Sequence, residues 1–253
     1  MSRLEAVCNA LRVGNLAQFA HDVDFVDKEQ YLTEVLERAL QHREARRVER
    51  LIKQARFPAP RTFEGYEFEP ITFPSGIDKD GLMNLAFLER RENVLCIGAV
   101  GTGKTHLAIA LGMKACMQGK SVRFYRAVEL TTELADRRRK GTLGRFQKQL
   151  EALDLLIIDE LGYIPFDRVA SQLLFNVISS GYERQSVIVT SNLEFGRWTE
   201  VFGDDRLTAA LIDRLVHHAH ILGFSGQSYR YKQAVRSRGG DGQDRQDSVP
   251  SPS

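Results

Sequence analysis

Apolar positions along this chain follow two different rhythms. In the first part, Tyr31, Leu32, Val35, Leu36, Ala39 and Leu40 recur at mixed spacings of three and four, which predicts a small helical module. Its second half, residues 38–56, is dense in arginine with interspersed glutamate, the composition of a solvated helix face carrying i,i+4 pairs. Phe57-Pro58-Ala59-Pro60 then stops any helix, because each proline lacks an amide donor and restricts the residue before it. The expected organisation is a helical domain over 1–56, a linker over 57–72 and a larger domain over 73–235.

Beyond the linker the pattern alternates. Residues 80–91 read as a helix and 93–97 as a short buried strand, followed by a helix at 105–118 and a strand at 121–125. A helix at 127–139, a very apolar strand at 153–159, a helix at 168–181, a strand at 186–190, a helix at 206–219 and a strand at 221–224 continue the series. Strands that read as unbroken apolar runs between helices imply a parallel sheet covered on both faces, hence an α/β fold. Phe166, Phe175, Phe195, Trp198 and Phe202 fall at helical spacings that suit core packing better than base stacking. Residues 236–253 have almost no apolar side chains and read as a disordered tail.

Composition narrows the function classes. With 253 residues, 43% hydrophobic and 27% charged, the chain can bury one substantial core. A net charge of +2 is too small for nucleic-acid binding by bulk electrostatics, so any contact with DNA falls to local patches. Cys8, Cys96 and Cys116 are odd in number and lack CxxC spacing, which argues against a disulfide framework or a zinc knuckle and for a reducing cytosol. No apolar run approaches the roughly 20 residues needed to cross a bilayer. The first residues lack the basic-then-apolar order of a secretory signal. A cytoplasmic protein without a membrane partner is expected.

Chemistry concentrates at strand ends. Gly98, Ala99, Val100, Gly101, Thr102, Gly103, Lys104 and Thr105 match G-x-x-x-x-G-K-[ST] between an apolar strand and a helix, and with His106 they are the candidate nucleotide-binding residues. Such a loop wraps a phosphate chain with its amides, with Lys104 meeting the β- and γ-phosphates of ATP and Thr105 ligating Mg²⁺. Leu155-Leu156-Ile157-Ile158-Asp159-Glu160 is a buried strand ending in two acids at the carboxyl edge, the form of a Walker B element. Asp159 would hold Mg²⁺, and Glu160 would orient and deprotonate the attacking water, which favours hydrolysis over transfer to a metabolite. Val187-Ile188-Val189 leads into Thr190-Ser191-Asn192, where Asn192 would help place that water. His217, His218 and His220 have neither an HExxH pattern nor a cysteine partner and read as surface residues at a helix end.

Together, the Gly98-to-Thr105 loop, Asp159-Glu160-Leu161-Gly162-Tyr163, Thr190-Ser191-Asn192 and Leu211-Ile212-Asp213-Arg214-Leu215 resemble the IstB-like ATP-binding proteins. These are helper ATPases of insertion-sequence transposition, AAA+ proteins of the initiator and helicase-loader group. The resemblance implies a P-loop AAA+ three-layer α/β/α core preceded by a small helical domain. It gives Asn192 a sensor role and Arg214, with Arg206 as the alternative on the same helix, that of an arginine finger inserted into a neighbouring copy. Arg230 would touch the nucleotide within its own chain. The implied partners are duplex DNA, a transposase encoded alongside, and further copies of the chain. Arg137, Arg138, Arg139, Lys140 and Arg145, with Lys148, form the densest basic patch and the candidate phosphate-backbone contact, while a basic helix end complementing the dipole explains them equally well. A DnaC-type helicase loader, a P-loop kinase and a scaffold with negligible turnover are the competing readings.

Overall fold

Three helices open the chain: α1 (Arg3–Ala10), α2 (Leu16–Phe19) and α3 (Lys28–Ala55). They are seen in a computed structural model that describes residues 2–10, 12–14, 16–20, 22–24, 27–226 and 228. The chain divides into two compact units, Met1–Lys53 and Gln54–Ser253. In the first, Cys8, Ala17, Val35 and Ala39 are buried, while Leu32, Leu36 and Leu40 lie exposed on α3. The Asp27 carboxylate caps α3 by accepting from the Glu29 and Gln30 amides at 2.9 and 3.0 Å. An Arg38–Glu34 pair at 2.7 Å realises the i,i+4 charge pattern of this helix.

The second unit is built on a six-stranded sheet. In chain order it contains β1 (Ile71–Thr72), α4 (Lys79–Met83), α5 (Ala86–Glu89), β2 (Asn93–Gly98), α6 (Lys104–Met117), β3 (Val122–Arg126) and α7 (Ala127–Arg139). Next come α8 (Leu143–Glu151), β4 (Leu155–Leu161), α9 (Arg168–Gly181), β5 (Ser186–Ser191), α10 (Thr199–Phe202), α11 (Asp205–Val216) and β6 (Ala219–Phe224). The strand order is β1-β6-β2-β5-β4-β3. Only β1 runs antiparallel; the other pairings are parallel.

Every residue of β5 is buried, as a central strand between β2 and β4 must be. Alternate side chains serve the two faces. Leu156, Ile158, Val187 and Val189 join Leu130, Leu134, Leu173, Leu174, Trp198, Phe202, Leu211 and Leu215 in one cluster under α7, α9, α10 and α11. Ile157 points the other way, toward α6, where Gly112 leaves space for its side chain and for Phe57. The result is the α/β architecture with helices on both faces. Trp198 and Phe202 are core, with Phe166, Phe175 and Phe195 packed against them, as their spacing indicates.

Several elements depart from the pattern read in the sequence. The helix expected over 80–91 is broken in two at Leu85, whose φ is 63°. The break lets Leu82, Leu85 and Phe87 all be buried, at the cost of one left-handed residue. Residues 57–72, expected as a linker, lie in the second unit and end in β1, paired with β6. Helix α8 was hidden behind its basic residues; it buries Phe146 and Leu150 after the chain turns at Gly141. The tail at 236–253 lies outside the described residues.

Candidate nucleotide site

The site begins where β2 runs out. Gly98 has a φ of 150°, and any Cβ there would collide with the Phe224 carbonyl at the end of β6. Gly103 precedes α6 at a φ of 95°, with the Tyr66 ring against it. At Gly98 the neighbouring backbone admits no side chain, and at Gly103 the left-handed backbone would strain one. Tyr66 donates its hydroxyl to the Gly103 carbonyl at 3.2 Å, and burial pushes its ionisation well above the ordinary phenol range. On the other side, Ser228 lies against Gly101.

Lys104 opens α6 and is 6% exposed. Its ammonium donates to the Gly98 and Ala99 carbonyls at 2.7 and 2.6 Å, so it curls over the loop it follows. Burial lowers its pKa to about 8, against opposing effects of Cys96 and Asp159. The Cys96 thiol beside it is pushed up to about 12, chiefly by burial. Thr105 donates its hydroxyl to Asp159 Oδ1 at 2.8 Å, across 54 positions of sequence.

Asp159 and Glu160 are adjacent in β4 and differ in every physical respect. Asp159 is 2% exposed and accepts from two hydroxyls, Thr105 at 2.8 Å and Thr190 at 2.5 Å. Glu160 is exposed, holds a left-handed φ of 59° and pairs with Arg126 at 3.8 Å. Its amide donates to the Thr190 hydroxyl at 3.0 Å. Thr190 therefore ties both acids to β5. Asn192, the first residue after β5, is half-buried at the same edge, beside the ends of β2 and β4. Thr190, Arg126 and Tyr66 are the residues that motif reading missed. A hydroxyl ending an apolar strand next to the acidic one was a usable signal for Thr190; nothing in the sequence pairs Arg126 with Glu160 or Tyr66 with the loop.

This geometry has close relatives. The family model described as IstB-like ATP binding protein matches residues 3–237. The chain is 40% identical to the insertion sequence IS21 putative ATP-binding protein of Pseudomonas aeruginosa, over 92% of this chain and 90% of that one. It is 36% identical to the insertion sequence IS5376 putative ATP-binding protein of Geobacillus stearothermophilus, over 91% and 92% of the two chains. The chain belongs to the IstB-like ATP-binding family. Among solved structures, AMPPCP-bound DnaA from Aquifex aeolicus superposes with a TM-score of 0.50 at 24% identity, over 66% of this chain and 51% of that one. A DNA replication initiation factor gives 0.51 at 22% identity, over 63% and 47%. This chain spans about half the length of each of these structures, and the likeness is one of fold: a mostly parallel sheet with helices on both faces.

Within this IstB-like chain, the remaining expected site residues are spread out. Arg214 lies with its guanidinium over the Phe175 ring at 5.2 Å, on the side of the sheet where α11 packs against α9. Arg206 is exposed in the first turn of α11. His106, the third residue of α6, has its Nε2 2.7 Å from the Thr62 carbonyl. Arg230 lies outside the described residues. Of the basic patch, Arg137 pairs with Glu133 at 2.9 Å and covers Phe146, and Arg139 pairs with Asp136. Arg138, Lys140, Arg145 and Lys148 are exposed. His217 and His218 are exposed, but His220, expected at the surface, is buried in β6 and bonds Glu92 at 2.8 Å. No helix among the described residues is long and apolar enough to cross a membrane.

Proposed function

We propose that this chain is an ATP-hydrolysing regulator of DNA transposition. In this reading several copies assemble on duplex DNA and share active sites, and the assembly assists a transposase in choosing its target. The observation that carries the reading is the junction of Lys104, Thr105 and Asp159 at the loop, with Glu160 exposed beside it. A buried acid held by hydroxyls and an exposed acid next to it are suited to two different tasks.

The donor set suits Mg²⁺. A threonine hydroxyl and a carboxylate already in contact are hard oxygen ligands, and the magnesium they would hold neutralises charge on the β- and γ-phosphates. The chain's own groups would do the rest. The amides of Gly101 to Thr105 would cradle the phosphates, and Lys104 would exchange its two carbonyl partners for phosphate oxygens. Glu160 would accept a proton from the attacking water while Asn192 orients it. Arg214, on a face away from the loop of its own chain, would serve the site of the next copy.

Both relatives bear names that refer to insertion sequences, which favours a transposase over a replicative helicase as the partner. For DNA, the exposed Arg138, Lys140 and Arg145 form the proposed backbone contact; it would tolerate any sequence and weaken as salt rises. The helical unit, Met1–Lys53, is the proposed partner-binding part. Phosphate release from Mg·ATP, measured with and without duplex DNA, tests the reading. We expect hydrolysis without any added acceptor, stimulated by DNA and absent in Lys104→Ala; turnover indifferent to DNA and to protein concentration would contradict it.

A further inference from the structure

Far along the chain from the phosphate loop, Glu183, His217 and His218 come together, with donor atoms all within 4.8 Å of one another. Glu183 lies in the turn that leads into β5, and the two histidines lie in the turn that leads into β6. Both strands run parallel to and beside β2, so the cluster sits at their amino ends, opposite the edge that carries Gly98 to Thr105. We propose that these three residues form a binding site for a borderline divalent transition-metal ion, of which Zn²⁺ is the type.

The backbone at all three positions is tied down. Glu183 holds a left-handed φ of 58°, a conformation uncommon for a residue with a side chain, and its carbonyl accepts from Arg91 Nη1 at 3.2 Å. The His217 amide donates to the Asp213 carbonyl at 3.0 Å, and the His218 carbonyl accepts from the Asn93 amide at 2.7 Å. Two turns that are remote in sequence are thereby fixed with their donors facing one another.

The side chains are also arranged for it. The Tyr182 hydroxyl lies 2.6 Å from His217 Nδ1, which fixes that ring and would make Nε2 its ligating atom. A ligating imidazole characteristically gives its other ring N–H to such a partner. His218 Nε2 is 3.5 Å from Glu183 Oε1, and the two imidazole centroids are 4.3 Å apart. Bonds of about 2.0 to 2.2 Å to a tetrahedral ion would draw the donors closer still, which exposed side chains can do by small rotations. Two imidazoles and one carboxylate suit Zn²⁺ or Ni²⁺ rather than Mg²⁺ or Ca²⁺, which prefer oxygen alone. Cys8, Cys96 and Cys116 are all buried and offer no competing thiolate at the surface. Three protein ligands leave a coordination position for water or for a donor from another molecule. A bound ion would clasp the turn before β5 to the turn before β6, with Arg214 one turn upstream on α11.

Isothermal titration of the tag-free full chain with Zn²⁺, in excess Mg²⁺, tests the site. We expect one equivalent to bind, accompanied by a rise in thermal midpoint. His217→Ala and His218→Ala should each lose that binding while keeping ATP affinity, and Tyr182→Phe should weaken it by about tenfold. Zinc-edge X-ray absorption of the wild-type complex reads the ligands without relying on any variant, and should show imidazole in the coordination shell. No saturable binding by the wild-type chain, binding unchanged in both histidine variants, or a shell without imidazole would overturn the proposal.

Discussion

The phosphate-loop edge of the sheet and the α9–α11 side of the molecule are built in opposite ways. At the loop, buried polar groups satisfy one another: Lys104 on two carbonyls, Asp159 on two hydroxyls, Tyr66 on Gly103. On the other side, Arg214 rests on an aromatic ring and is half-buried, with no acid of the loop beside it. In the proposed reading the first region holds the nucleotide with groups of one chain. The second has a charge that its own chain does not use at the loop. That asymmetry suggests binding by single copies and hydrolysis by pairs.

The sharpest way to break the comparison is to remove the arginine. Arg214→Ala should lower turnover by about 10³ to 10⁵ while ATP affinity changes little, because the proposed finger would act on the transition state of a neighbour. Steady-state phosphate release and equilibrium ATP binding, measured on the same preparation, read the two effects; equal loss of both would place Arg214 in nucleotide binding instead. Glu160→Gln should lower turnover by about 10² to 10⁴ with ATP still bound, since it would remove only the proposed base. Single-turnover assays would show it, and wild-type turnover would remove Glu160 from that role.

Thr190→Val tests the internal half. It deprives Asp159 of a 2.5 Å partner in a site with little access to water, so we expect a stability loss of about 1 to 3 kcal/mol, read by denaturant unfolding. Lys104 supplies the pH dependence. Its pKa is lowered to about 8 by burial, and phosphate binding requires the charged form. ATP affinity should therefore be level below about pH 8 and fall by up to about tenfold per unit above it, as the free site loses its proton. The smallest effect belongs to Arg126→Ala. Both partners of the Arg126–Glu160 pair are about half exposed, and at 3.8 Å the pair is worth at most about 1 kcal/mol. Turnover should shift by no more than about fivefold.

How much of this was legible in the sequence follows from the range of the interactions. The loop and the acidic strand were readable because local spacing and apolar continuity fix them, and the strands they end carry no competing pattern. The break at Leu85 was not readable: its signal is burial of three side chains in a tertiary environment, and periodicity alone predicts one helix. Strand β1 is two residues long and exists only because β6 offers an edge. Thr190 and Asp159 are 31 positions apart, Tyr66 and Gly103 are 37, and neither pairing leaves a trace in composition. His220 read as a surface residue by its neighbours, yet it faces inward in β6 because strand alternation, not helix-end geometry, governs its position.

The central claim, that one copy completes the active site of the next, is tested most directly by mixing two inactive proteins. Arg214→Ala chains keep Glu160, and Glu160→Gln chains keep Arg214. In a random one-to-one mixture about a quarter of the interfaces pair an intact base with an intact finger. Phosphate release should recover toward that fraction of the wild-type rate on mixing. A mixture that stays as inactive as its components, although they co-assemble, would contradict the account.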